Sequence, residues 1–179
     1  MAAVFLSPSV QEWNLYLIEG TEEQYMNLVA DEVEPFLEAA GIEFGRNDPS
    51  QSLLEVIAQS NAYPYDLHIA IHSNASPEGK EGQFQGVGLY YYPQSAGGRR
   101  FALLLQEEFQ KIYPNPALVQ LFPTTSLAEV RRTYAPSVLI EAGFHDNAED
   151  EAWIKANLTA IGEAIATAAQ RYLAGEGEN

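Results

Sequence analysis

Apolar and polar positions along the chain fall into short blocks of two kinds. Residues 4–6, "VFL", are an apolar run stopped by Pro8, which predicts a short buried strand. After the loop "SPSVQEWNLYLIEG", Thr21 and Gln24 stand three apart as a capping-box pattern. Tyr25, Leu28, Val29, Val33, Phe36 and Leu37 then recur at helical spacing, and Gly41 is placed to close that helix. Pro35 inside the pattern predicts a kink or an early end. Residues 42–44 read as a second strand and "SQSLLEVIAQSNA" as a shorter helix.

The stretch "DLHIAIHSN" follows another rule. Leu67, Ile69 and Ile71 alternate with His68, Ala70 and His72, a period of two that predicts a strand. "GVGLYYYP" reads as a further strand, and "GGRRFALLLQEEFQKIY" as a helix ending before Pro114. "SLAEVRRT" is expected to be a short strand. "PSVLIEAGF" is a continuous apolar run of the kind a strand covered on both faces needs. Residues 149–173 carry Trp153, Leu158, Ile161, Ile165 and Ala168 on one stripe and read as a single long helix. Strands alternating with helices imply an α/β fold of three layers, a mainly parallel central sheet with helices on both faces. Residues 1–175 are expected to form one domain, with 176–179 a polar tail.

Composition narrows the function classes. The formal net charge of −16 comes from acids spread along the chain, a surface that repels phosphate backbones, so no nucleic-acid partner is expected. There is no cysteine, hence no disulfide or thiolate chemistry. No apolar run approaches the roughly 20 residues of a membrane span. "MAAVFLSPSV" lacks the basic and long apolar regions of a signal peptide.

Two of the three histidines, His68 and His72, lie four apart. On a strand that spacing separates them by roughly 13 Å, whereas two ligands of one zinc lie within about 4 Å of each other. They cannot share an ion. His72 falls at the C-terminal end of its strand, where open parallel sheets place ligand sites. His68 lies deeper, where a histidine satisfied within the core is the simpler reading. Glu141 interrupts the buried run "PSVLIEAGF" at the same edge, an expensive place for an unpaired carboxylate. Glu23 stands in the first turn of the first long helix, which favours acids in any case. A helix following the first strand starts near that strand's C-terminal end, so Glu23, His72 and Glu141 can converge. One histidine, one ligating carboxylate and one carboxylate base is the residue set of a hydrolytic zinc site.

With "IAIHSNA", "EEQYMNLVA" and "VRRTYAPSVLIEAGFHDN" in this order, the chain resembles the zinc-dependent N-acetylmuramoyl-L-alanine amidases of bacterial cell-wall turnover. The resemblance implies zinc as cofactor, His72 and Glu23 as ligands, and Glu141 as the carboxylate that moves the proton. It implies a peptidoglycan or muropeptide substrate, cut at the amide between N-acetylmuramic acid and L-alanine. Asn74, Arg131 and Asn147 match motif positions, the first two as candidate substrate contacts. The loop with Gly79, Gly82, Gly86 and Gly88, together with "YYYP", is expected to form the substrate groove. One departure stands out. The family's first ligand is a histidine in a glycine-rich turn after the first strand, and here that place reads "LSPSVQEWN", with Val10 at the aligned position. Glu12 is the candidate oxygen ligand in its stead, with Gln11 weaker, and His145 could swing in. The alternative is an amidase-fold module that binds wall fragments, or regulates a partner, without hydrolysis. Action on the cell wall from a chain without a leader implies release by lysis or another export route, or residence in the cytoplasm before release.

Overall fold

Each central strand is apolar on one face and mixed on the other, and this fixes how the sheet is covered. The computed structural model describes residues 2–177. β1 (Ala3–Pro8), β2 (Glu43–Arg46), β3 (Leu67–Asn74), β4 (Val87–Tyr91), β5 (Val119–Pro123) and β6 (Ser137–Phe144) form one sheet in the order β2-β1-β3-β6-β4-β5. Every pairing is parallel except that of β4 with β6. The expected mainly parallel α/β sheet is therefore present.

On one face Val4, Leu6, Ile69, Ile71, Leu89, Val138 and Ile140 are buried. They pack with the apolar sides of α1 (Glu22–Ala39), α3 (Ala96–Ile112) and α6 (Leu158–Leu173) in the main core. Burying each such side chain stabilises the fold by about 1.5–3 kcal/mol. The other face is thinner. It is covered by α2 (Leu53–Asn61) and α4 (Ala128–Arg132), and its apolar cluster is only Ala70, Val130 and Leu139, with Tyr90 and Leu127 against it. Strand register places Ser7 beside Ala70, and His72 beside Glu141, on this thinner side. The polar positions of the alternating pattern thus collect under two short helices.

Two local expectations change, one is narrowed and one strand is added. "SLAEVRRT" is not a strand: residues 128–132 are helical, and the Thr133 hydroxyl donates to the Glu129 carbonyl at 2.9 Å to close the turn. Glu129 and Val130, adjacent in sequence, are both buried, which the helical turn permits. β5 lacks a clear signal, being a half-buried strand that ends in proline. The long final helix is two, α5 (Ala148–Ala156) and α6, broken at Asn157, whose side-chain amide donates to the Trp153 carbonyl at 2.8 Å. Pro35 does not end α1, which continues to Ala39. Its missing N–H removes one hydrogen bond, while Val33 and Leu37 on either side stay buried in the core. Of the proposed tail, Glu176 pairs with Arg171 at 2.5 Å, and residues 178–179 lie outside the described residues.

Candidate active site

The site forms where β1, β3 and β6 end and the β1–α1 connection folds back across them. That connection is a tight hairpin. Leu15 bridges Thr21, and the Glu22 amide donates to the Asn14 carbonyl at 2.9 Å. The Thr21 hydroxyl then accepts from the Gln24 amide at 3.1 Å and starts α1. This pairing sets which acid of "EE" faces inward. Glu22 is 1% exposed, and its Oε1 lies 2.9 Å from His72 Nδ1. Glu23 is one helical step, about 100°, further round, and its carboxylate meets the Asn27 amide at 3.4 Å. The convergence expected of Glu23 with His72 is made by Glu22.

Two amides complete a ring with this pair. Asn14 Nδ2 donates to Glu22 Oε2 at 2.6 Å and to Gln11 Oε1 at 3.2 Å. Gln11 Nε2 lies 3.4 Å from His72 Nδ1. On its other side His72 Nε2 stands 3.4 Å from Glu129 Oε2. Glu129 is held from three directions. It accepts from the Ser7 hydroxyl and meets His68 Nε2 at 3.0 Å as well as His72. His68 is fully buried, stacks on Phe5, and has its Nδ1 2.9 Å from the Ser60 hydroxyl. It is a core histidine, as expected, yet it also anchors the carboxylate that touches His72.

The charges follow from this network. Burial disfavours the His72 cation, but hydrogen bonds to Glu129 and Glu22, with the charges of Glu129 and Glu141, raise its pKa well above 6.5. Burial opposes ionisation of Glu129, yet hydrogen bonds from His68 and His72 outweigh it and hold the carboxyl well below the usual range. Burial likewise opposes ionisation of Glu22, and its hydrogen bonds to His72 and Asn14 lower its pKa. Glu141 lies beside His72 across the β3–β6 pairing, without such partners. Burial pushes it up to about 8, with His72 partly offsetting the rise and the charge of Glu22 adding to it. Its Oε2 is buried with no hydrogen-bond partner. Just beyond Glu141 the register of β3 and β6 shifts, and Gly143 sits at φ +147°, which favours glycine.

A cleft of about 830 Å³ opens over these groups. Its floor is His72, Leu139 and Glu141, and its walls come from residues 7–13, residues 49–53 with Val56, and Leu127 to Glu129. The glycine loop and "YYYP" do not line this cleft, because β4 lies on the far side of β6. Glu12 is an exposed rim residue, at the cleft but outside the ring around His72. Val10 and the exposed Trp13 line the same wall. Asn74 ends β3, where its Oδ1 accepts from the Ala75 amide at 2.9 Å. Asn147 caps α5, accepting from the Glu149 and Asp150 amides. Arg131 is exposed on α4 and lies outside the cleft lining. His145 does not swing in. It is buried, stacked on Tyr16, with Nδ1 3.1 Å from the Ser73 hydroxyl, on the opposite face of β3 from His72.

A family model described as N-acetylmuramoyl-L-alanine amidase matches residues 16–171. The chain belongs to the N-acetylmuramoyl-L-alanine amidase family. No curated protein matches it. Among solved structures, an N-acetylmuramoyl-L-alanine amidase from Clostridium difficile 630 superposes with a TM-score of 0.86 at 18% identity, covering 98% of each chain. An amidase of Nostoc punctiforme gives 0.83 at 18% identity over 97% of each chain. One from Mycobacterium smegmatis gives 0.83 at 19% identity over 98% of each. At such identities the likeness is one of fold. This family is generally zinc-dependent, so the donor set can be tested against that ion. Among the described residues no three His, Asp or Glu side chains are grouped to hold a metal. His72 has a carboxylate against each ring nitrogen, and the side facing the β1–α1 loop is closed by two amides. These residues do not fit a three-ligand zinc site.

Proposed function

We propose that this amidase-family chain acts on peptidoglycan or muropeptides at the His72–Glu141 cleft, cutting the amide between N-acetylmuramic acid and L-alanine. The observation that carries the reading is Glu141: a half-buried residue whose Oε2 is buried and unpartnered on the floor of an open cleft, with its carboxyl raised to about 8. Unpartnered buried carboxylates are costly and concentrate where a proton must be exchanged. In its ionised form Glu141 takes a proton from the attacking water, and in its neutral form it delivers one to the leaving amine. Val10, Trp13, Leu53 and Val56 in the walls and Leu139 on the floor give the cleft an apolar lining beside the reacting bond. His72, held cationic by Glu22 and Glu129, stands beside Glu141 and offsets negative charge that develops there. Its orientation is set by Glu22, so Glu22 takes the place in the site proposed for Glu23. Glu12 and Trp13 at the rim are placed to touch the bound fragment, a role for which Asn74 and Arg131 are less well situated.

A second reading, binding of wall fragments without hydrolysis, is favoured by the closed ring around His72. The two separate in one assay. Purified sacculi and a soluble muramoyl-peptide are incubated with the chain and with Glu141→Gln. New L-alanine amino termini with the chain, and none with the variant, support hydrolysis. Retention of the muramoyl-peptide by both proteins, with no new termini, supports binding alone and sinks the hydrolytic reading.

A further inference from the structure

The one missing histidine need not by itself disable a zinc site, since an oxygen donor could replace it. What decides the matter is where the remaining donors point. A zinc held by a histidine nitrogen and a carboxylate oxygen lies about 2 Å from each, which sets those two atoms roughly 3.3 Å apart with the ion between them. Here Glu22 Oε1 and His72 Nδ1 are 2.9 Å apart, an ordinary hydrogen bond. The second oxygen of Glu22 is taken by Asn14 Nδ2 at 2.6 Å, and Asn14 is tied by the same amide to Gln11 at 3.2 Å. Gln11 Nε2 packs over His72 Nδ1 at 3.4 Å, covering it without accepting from it.

Donor and acceptor counting gives the same answer. Glu129 Oε1 already accepts from Ser7 and faces His68, so Glu129 meets His72 as an acceptor through Oε2. Glu22 accepts from Asn14 and meets His72 as an acceptor through Oε1. Each ring nitrogen of His72 thus faces a carboxylate oxygen rather than an open position for a metal. The arrangement is built into the backbone. The Glu22 amide donates to the Asn14 carbonyl, and Leu15 bridges Thr21, so Asn14 and Glu22 are held together by the hairpin before α1 begins.

We propose that this chain has replaced the family's zinc with a ring of its own side chains, in which Asn14, Glu22 and His72 are hydrogen-bonded, Gln11 packs against the imidazole, and Glu129 and His68 back it. The inference borrows from the family only the expectation of zinc, and it holds whether the cleft hydrolyses its ligand or only retains it.

The test starts from the full chain, expressed in zinc-supplemented medium and dialysed against metal-free buffer, alongside His72→Gln. Zinc content is read by elemental mass spectrometry and zinc affinity by titration calorimetry. The expected result is less than about a tenth of an equivalent of zinc, with identical weak binding by both proteins from the acidic surface. One equivalent in the chain that is lost in His72→Gln overturns the proposal. Nitrogen-15 spectra give a second measurement that does not need the variant to fold. No His72 ring nitrogen should shift on zinc addition, whereas a metal-shifted nitrogen overturns the proposal. Sacculus digestion on the same samples keeps the two readings apart. Cleavage by zinc-free protein, unaffected by chelator, upholds both. Zinc-free protein that leaves sacculi intact overturns the hydrolytic reading and leaves the ring standing. Cleavage that disappears with chelator and returns with zinc overturns the ring and leaves hydrolysis standing.

Discussion

Replacing Glu141 by glutamine should make the protein more stable while removing its chemistry, and the gain should depend on pH in a defined way. The carboxyl is lifted from 4.5 to about 8 by burial. Between those two values the unfolded chain has released the proton that the folded chain retains. Stability therefore falls as pH rises through the interval, by about 1.4 kcal/mol per pH unit. The penalty is absent below pH 4.5, reaches about 3 kcal/mol at pH 7, and levels off at about 5 kcal/mol above pH 8. Glutamine has nearly the same shape and nothing to ionise. The difference in unfolding free energy between Glu141→Gln and the parent should thus rise from about 1 kcal/mol at pH 5.5 to several kcal/mol at pH 8.5. Urea denaturation of both proteins at pH 5.5, 7 and 8.5 measures it, starting above the sequence pI near 4.3 where solubility is lowest. A difference that stays flat across that range would falsify the assignment of a raised, unpartnered carboxyl to Glu141. In the same experiment the variant should release no L-alanine amino termini from sacculi, since the group that moves the proton is gone.

The adjacent acids should behave differently. Glu22→Gln removes a partner of a buried imidazolium and should cost about 3 kcal/mol, whereas Glu23→Gln should change stability by less than about 0.5 kcal/mol; urea midpoints compare them directly. Gln11→His puts a nitrogen ligand where an amide now closes the ring, and calorimetry should show zinc affinity rising at least tenfold over the parent. Gly162→Ala should destabilise by about 1–3 kcal/mol despite the better helix propensity of alanine, because the added methyl would meet Glu32 Cβ at 2.6 Å and its backbone carbon at 2.8 Å. A thermal melt of that variant above the parent's would refute the close α1–α6 crossing.

The sheet was readable because period-two alternation in "DLHIAIHSN" and an unbroken apolar run in "PSVLIEAGF" reflect burial that any fold must satisfy. The separation of the two histidines was readable for the same reason, since a strand allows only one spacing. What escaped depended on contacts between distant segments. Glu129 sits in a stretch read as a strand, and its partners Ser7, His68 and His72 are all more than 50 residues away along the chain. The choice of Glu22 over Glu23 rests on the Asn14–Glu22 backbone pairing of the preceding loop, and helical spacing alone permits either. Gln11 and Asn14 carry no periodic signal, because a polar loop looks the same whether its amides face water or a buried carboxylate.

Acids buried at this edge make the replacement of a metal physically coherent. Glu129 and Glu141 line one cleft and Glu22 lies behind it against His72, and three carboxylates cannot all ionise there without a compensating charge. A divalent ion supplies that charge in one way; a chain lacking the third ligand must supply it in another. Here the balance is reached with internal parts. His72 carries one positive charge between Glu22 and Glu129, Asn14 and Ser7 add neutral donors, and Glu141 avoids the deficit by keeping its proton at neutral pH. Removing any one member shifts the charge onto the others. Loss of His72 should therefore release a second proton-binding carboxyl in the cleft, which separates a cooperative charge network from a set of independent polar contacts.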